Sequence, residues 1–113
     1  MPTTLRGHAR IDRRSLAMHE AIAARLLSQP AEVLAIARDN LARRLPSAGR
    51  SRHYLDAWRE ILALSAAEIA RIIVEDTERM TAMRQNSPFA GVLTPRERWA
   101  IYDEYAEVPH DAR

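Results

Sequence analysis

The chain has 113 residues, of which 47% are hydrophobic and 28% are charged, as expected for one soluble globular domain. It contains no cysteine, which excludes disulfides, thiol nucleophiles and thiolate metal sites. No apolar run approaches the roughly 20 residues that span a bilayer. The N-terminus also lacks the apolar core of a secretory signal, so we expect a cytoplasmic protein that does not associate with membranes.

The charge is unevenly distributed along the chain, and all 17 basic residues are arginine. Residues 1–52 contain ten arginines and four acidic residues, a net charge of +6. Residues 53–113 contain seven arginines and eleven acidic residues, a net charge of −4. This distribution predicts a basic face for an acidic partner or nucleic acid, unless folding brings the two halves together and they neutralise each other.

The first half of the chain predicts two helices. Residues 1–11 contain proline and glycine and show no hydrophobic periodicity, so we expect a flexible N-terminal arm there. Asp12 is a suitable N-cap for a first helix that ends near Ser28. Pro30 is well placed to begin a second helix, because proline suits the first helical position. The apolar residues of that second helix recur at helical spacing: Leu34, Ala37, Leu41 and Leu45.

A loop at residues 46–51, PSAGRS, separates the second helix from a third, for which Ser51 can serve as the cap. Ser65 and Glu68 form a capping box, the pattern in which a serine hydroxyl and a glutamate carboxylate each accept from the other residue's backbone N–H. This box begins a fourth helix.

The apolar stripe of the fourth helix meets an acidic residue, Asp76, where another apolar residue is expected. We favour a helix break there, with Asp76 or Thr77 capping a further helix to about Gln85, because short polar side chains prefer caps to helix interiors. The alternative is a carboxylate that faces a partner.

Residues 86–93, NSPFAGVL, cannot form a helix, because they contain Pro88 and Gly91. They hold the only phenylalanine of the chain, Phe89. We favour the interpretation that this side chain folds inward, with Val92 and Leu93, and docks the last helix on the bundle. In the alternative interpretation Phe89 projects as a hydrophobic anchor for another protein.

A second capping box, TPRE at residues 94–97, begins a final helix that we expect to reach about Ala106, followed by a frayed tail at 107–113. No stretch alternates with a period of two, so strands are not expected. The sequence therefore predicts an all-α fold, a compact bundle of five or six short helices forming a single domain over residues 12–106.

Catalysis is disfavoured by the residues that could carry it. The four histidines are far apart and none has a histidine partner at helical spacing, which argues against a zinc site on one helix. The chain has no glycine-rich phosphate loop, and Ser87 precedes a proline outside any nucleophile-elbow pattern. We therefore expect no enzyme activity, no metal and no cofactor.

Binding to a macromolecule is the remaining class of function. Aromatic and arginine side chains are the usual anchors of protein interfaces, although each aromatic residue here is also a candidate for the core. The basic N-terminal half could instead contact nucleic acid phosphates, but no helix pair has the turn of a helix-turn-helix motif. The residues that we expect to contact a partner are Arg38, Arg43, Arg44, Arg84, Ser87, Phe89, Arg96 and Trp99.

From residue 13 to residue 105 the chain resembles a family of small all-helical bacterial proteins associated with toxin–antitoxin operons. The most specific block runs from Ser87 to Trp99, SPFAGVLTPRERW. The other stretches that carry the resemblance are RRSLAMHEAIAARLL, ARDNLARRL and RHYLDAWREIL.

The resemblance implies an antitoxin that neutralises a toxin enzyme, encoded by a neighbouring gene and similar to a nucleotidyltransferase, by covering it. Some members of the family are joined to a helix-turn-helix domain; this chain is not, so autoregulation is not carried over. Arginines such as Arg38, Arg43 and Arg44 would then pair with metal-binding carboxylates of the toxin. The alternative is a DNA-associated transcriptional regulator or its accessory subunit, and the sequence leaves a homodimer open.

Overall fold

A computed structural model describes the backbone of residues 3–105 and the side chains of residues 9–105. Within this range the chain forms six α-helices and no strand, which confirms the predicted all-α fold. The helices are α1 (Thr3–Ser28), α2 (Pro30–Arg44), α3 (Arg52–Ile61), α4 (Ala66–Ile72), α5 (Glu78–Arg84) and α6 (Pro95–Glu104). None of these helices is both long enough and apolar enough to cross a membrane.

The first helix is longer than the sequence predicts. It begins at Thr3, so the predicted start at Asp12 is wrong, and residues 3–11 are helical rather than an irregular arm. Leu5, Arg6, Ala9 and Arg10 are good helix formers, and one internal glycine costs only about 1 kcal/mol in a helix. The last helix ends at Glu104. The predicted end at Ala106 and the predicted tail at 107–113 lie outside the described residues.

Short polar side chains begin three of the helices as predicted. The Ser65 hydroxyl accepts from the N–H of Glu68 at 3.2 Å, and the Glu68 carboxylate accepts from the N–H of Ser65 at 3.2 Å. Thr94 and Glu97 form the second capping box in the same way. Thr77 caps α5, accepting from a backbone N–H at 3.1 Å. The predicted helix break between α4 and α5 is thus confirmed.

The loop between α2 and α3 is more ordered than predicted. It consists of two 3-10 turns, Leu45–Ser47 and Gly49–Ser51. Ser51 precedes α3 as predicted, but its side chain does not cap the helix. Its backbone lies near the helical region, with φ −84° and ψ 2°, whereas a capping residue is usually extended. The Ser51 hydroxyl instead donates to the Ala48 carbonyl at 2.9 Å.

The core lies along one side of α1, which packs against α2, α4, α5 and α6. Trp58 of α3 is completely buried, and its indole N–H donates to the Met83 carbonyl of α5 at 2.9 Å. Trp58 belongs to a core cluster of buried side chains that come from each of the first five helices and from the segment before α6. Helix α6 has no fully buried residue, so it is the most peripheral helix of the bundle.

Candidate protein-binding surface

The linking segment, residues 85–94 between α5 and α6, is folded into the core. Phe89 is only 2% exposed. Its ring packs edge-on against Trp58, with centroids 5.6 Å apart, and edge-on against His19 at 6.1 Å. Val92 and Leu93 are also buried. The inward interpretation of this segment is confirmed, and the idea that Phe89 projects as an anchor is wrong for this structure.

Polar side chains of α2 hold the linking segment in place. The Asn40 amide donates to the Pro88 carbonyl at 2.9 Å and to the Ala90 carbonyl at 2.8 Å. Arg44 donates to the Ser87 carbonyl at 2.8 Å. These hydrogen bonds satisfy backbone carbonyls of a segment that forms no helix. Gly91, with φ +93°, supplies the turn that returns the chain to α6. Arg44 is thus a supporting residue of the fold.

His19 of α1 is buried and forms a hydrogen bond with Ser87, a partly buried residue of the linking segment. His19 Nδ1 lies 2.8 Å from the Ser15 carbonyl oxygen. Because a carbonyl can only accept a hydrogen bond, Nδ1 carries the proton and donates. Nε2 therefore accepts from the Ser87 hydroxyl at 2.9 Å. Burial lowers the pKa of His19 to about 4, so the imidazole is neutral near pH 7. The pair ties the linking segment to α1 through hydrogen bonds.

Arg84, the last residue of α5, is 4% exposed. Its guanidinium donates to the Ile73 carbonyl at 3.0 Å and to the Glu75 carbonyl at 2.9 Å, just after the end of α4. Cations near a helix C-terminus satisfy carbonyls that have no partner within the helix. Arg84 and Phe89 are therefore parts of the scaffold, which corrects their assignment to an exposed partner surface.

Helix α6 carries the most exposed aromatic side chain. Trp99 is 64% exposed and packs edge-on against Tyr102, with ring centroids 5.7 Å apart. The guanidinium carbon of Arg14, on α1, lies 4.8 Å from the centroid of the Tyr102 ring. Arg96 is exposed one helical turn before Trp99. We call these four residues, Arg14, Arg96, Trp99 and Tyr102, the α6 surface.

The arginines predicted on α2 separate into different roles. Arg43 is exposed and lies 3.6 Å from the Asp39 carboxylate. Arg38 is exposed but donates to the Leu62 carbonyl at the end of α3, at 3.0 Å. Arg44 points to the linking segment. The three therefore do not act as one basic cluster, and only Arg38 and Arg43 remain on the exterior.

Of the predicted partner residues, the structure brings Arg96 and Trp99 together on α6 and places Arg38 and Arg43 on α2. Two members of the α6 surface, Arg14 and Tyr102, were not among the predicted partner residues. The spacing of three between Trp99 and Tyr102 was a signal for the second of them. Arg14 is distant in sequence, and only the packing of α1 against α6 reveals it.

Comparisons with known proteins found no relative of this chain. No protein-family model matches the chain. Neither a curated protein nor a solved structure is similar to it.

Proposed function

We propose that this protein is a non-catalytic protein-binding module, an antitoxin that neutralises a toxin enzyme by covering it. The observation that carries the proposal is the exposure of Trp99 within the α6 surface. Tryptophan, tyrosine and arginine are the residue types that most often dominate the binding energy of protein interfaces.

The α6 surface is suited to binding because its side chains support one another before a partner arrives. The Trp99 ring rests on Tyr102, and Tyr102 rests beneath the Arg14 guanidinium. Side chains that are already ordered lose less conformational entropy on association. Edge-on aromatic contacts and cation–π contacts of this kind each contribute about 0.5–1.5 kcal/mol.

The exposed arginines of α2 supply a different contribution. Arg38 and Arg43 belong to the basic half of the chain, whose net charge is +6. Charges of this type at the edge of an interface speed association and disfavour wrong partners, more than they raise affinity. An acidic partner, such as a toxin with metal-binding carboxylates, fits this charge.

The experiment is co-purification of the protein with the product of its neighbouring gene, together with rescue of growth from that product. Trp99→Ala should weaken the complex at least tenfold, because truncation of an interface tryptophan removes about 2 kcal/mol or more. Leu27→Ala is a matched control, since Leu27 is 62% exposed on α1, outside the α6 surface. Equal affinity of both variants would refute the role of the α6 surface.

Complete absence of a complex and of growth rescue with the unaltered protein would refute the antitoxin role itself. The alternative, a DNA-associated regulator, is tested by a mobility shift at about 150 mM salt, where binding driven only by phosphate contacts is weak. Sequence-selective retention of DNA under these conditions would favour the regulator.

A further inference from the structure

A cleft opens between α1, the linking segment and α6. Its volume is about 390 Å³, within the range of about 300–1,000 Å³ that is typical of small-molecule sites. The residues that line this α1–α6 cleft include four large apolar ones, Met18, Ile22, Phe89 and Leu93. Sites for small molecules commonly combine such an apolar wall with a few polar groups that fix orientation.

The polar groups of the cleft carry positive charge. Arg84 and Arg98 both line it, and none of the described residues that line it is acidic. Asp12, Glu20 and Asp76 act on Arg84 through their charges, but none of the three reaches the lining of the cleft. The lining therefore has two guanidinium groups and no carboxylate that would neutralise them within it.

Both guanidinium groups have N–H donors that lack an acceptor among the described residues. Nε of Arg84 is buried and has no hydrogen-bond partner among the described residues. The side chain of Arg98 forms no hydrogen bond or ion pair within residues 9–105, in contrast to Arg25, which pairs with Glu97 on the preceding position of α6. Arg98, which is only partly buried, is therefore the guanidinium that can accept a ligand's oxyanion as a partner.

The other polar groups of the cleft are already satisfied. His19 and Ser87 line it, but they bond to each other and to the backbone. His19 is neutral near pH 7, so it brings no charge to a ligand. A ligand's polar group is thus directed to the two arginines and not to this pair.

We propose that the α1–α6 cleft binds a small molecule with an apolar body and one oxyanion group. The apolar body would lie against Phe89 and Leu93, and the oxyanion would pair with the Arg98 guanidinium, with Arg84 adding a second positive charge to the lining. Planar guanidinium groups suit carboxylates and phosphates. The proposal does not rest on the proposed antitoxin role, although Tyr102 belongs to both the cleft and the α6 surface.

The test is an NMR titration of the full ¹⁵N-labelled chain with three probes: 3-phenylpropionate, its neutral match 3-phenylpropionamide, and inorganic phosphate. We expect saturable shifts of the Ala90 and Gly91 amides, which line the cleft, with 3-phenylpropionate. The amide and inorganic phosphate should each bind at least tenfold more weakly, because each lacks one of the two required features.

Two variants test whether Arg98 supplies the positive charge that binds the oxyanion. Arg98→Gln should reduce the affinity for 3-phenylpropionate to that for the amide and leave the affinity for the amide unchanged. Arg79→Gln, at an exposed arginine of α5 that does not line the cleft, should have no effect. Circular dichroism checks that both variants fold, as expected for side chains that form no hydrogen bond or ion pair within residues 9–105.

Three outcomes would overturn the proposal. Equal binding of the acid and its amide would exclude a role for the oxyanion. Inorganic phosphate binding as tightly as 3-phenylpropionate would exclude a role for the apolar wall. Absence of saturable shifts with 3-phenylpropionate at millimolar concentration would exclude the site.

Discussion

The burial of His19 makes the stability of the fold sensitive to mild acid. Burial lowers the pKa of His19 from 6.5 to about 4. The unfolded chain therefore binds a proton at this imidazole between these two pH values, while the folded chain does not. Because stability rises with pH wherever the unfolded state binds more protons, this contribution is complete above pH 6.5 and is lost as the pH falls to about 4.

The magnitude follows from the size of the pKa change. One pKa unit corresponds to about 1.4 kcal/mol, so the change at His19 corresponds to a loss of about 3 kcal/mol of unfolding free energy between neutral pH and pH 4. Hydrogen bonds from the Ser65 and Thr94 backbone N–H groups lower the pKa values of Glu68 and Glu97 below 4.5. Those carboxylates add acid sensitivity only below that pH, so the two effects separate.

The assay is urea unfolding followed by circular dichroism at a series of pH values from about 7 to about 5, which stays above the ordinary glutamate pKa of 4.5. His19→Gln should remove most of the dependence on pH in this range. His53→Gln is the matched control, because His53 is exposed, and it should retain the dependence. If the unaltered protein and His19→Gln lose the same unfolding free energy over this range, the reasoning about His19 is refuted.

Three further variants test the scaffold by urea unfolding. Phe89→Ala should destabilise the fold by about 3–5 kcal/mol, because it leaves a cavity between Trp58 and His19; a loss below about 1 kcal/mol would contradict the inward role of the ring. Asn40→Ala should remove about 1–3 kcal/mol by leaving the Pro88 carbonyl without its donor, and unchanged stability would show that water replaces the amide. Thr94→Ala should remove about 1 kcal/mol with the cap of α6, and a fully retained stability would argue against that cap.

The sequence itself determines where most of the helices begin. Ser65, Thr77 and Thr94 accept from backbone N–H groups two or three residues away, and Pro30 begins α2 because its ring already has the helical φ angle. These interactions are local, so a short window of sequence contains both partners. The failure at Asp12 has the same origin, since a good capping residue within strong helix formers does not by itself stop a helix.

The roles of individual side chains were decided by tertiary structure. In the sequence Arg44, Arg84 and Arg98 look alike, yet one supports the linking segment, one caps the end of α4, and one lines a cleft and forms no hydrogen bond or ion pair with residues 9–105. Phe89 and Trp99 are both large aromatic residues, but Phe89 is buried and Trp99 is exposed. The partners that decide these outcomes lie on other helices, and only packing of the helices brings them within contact distance.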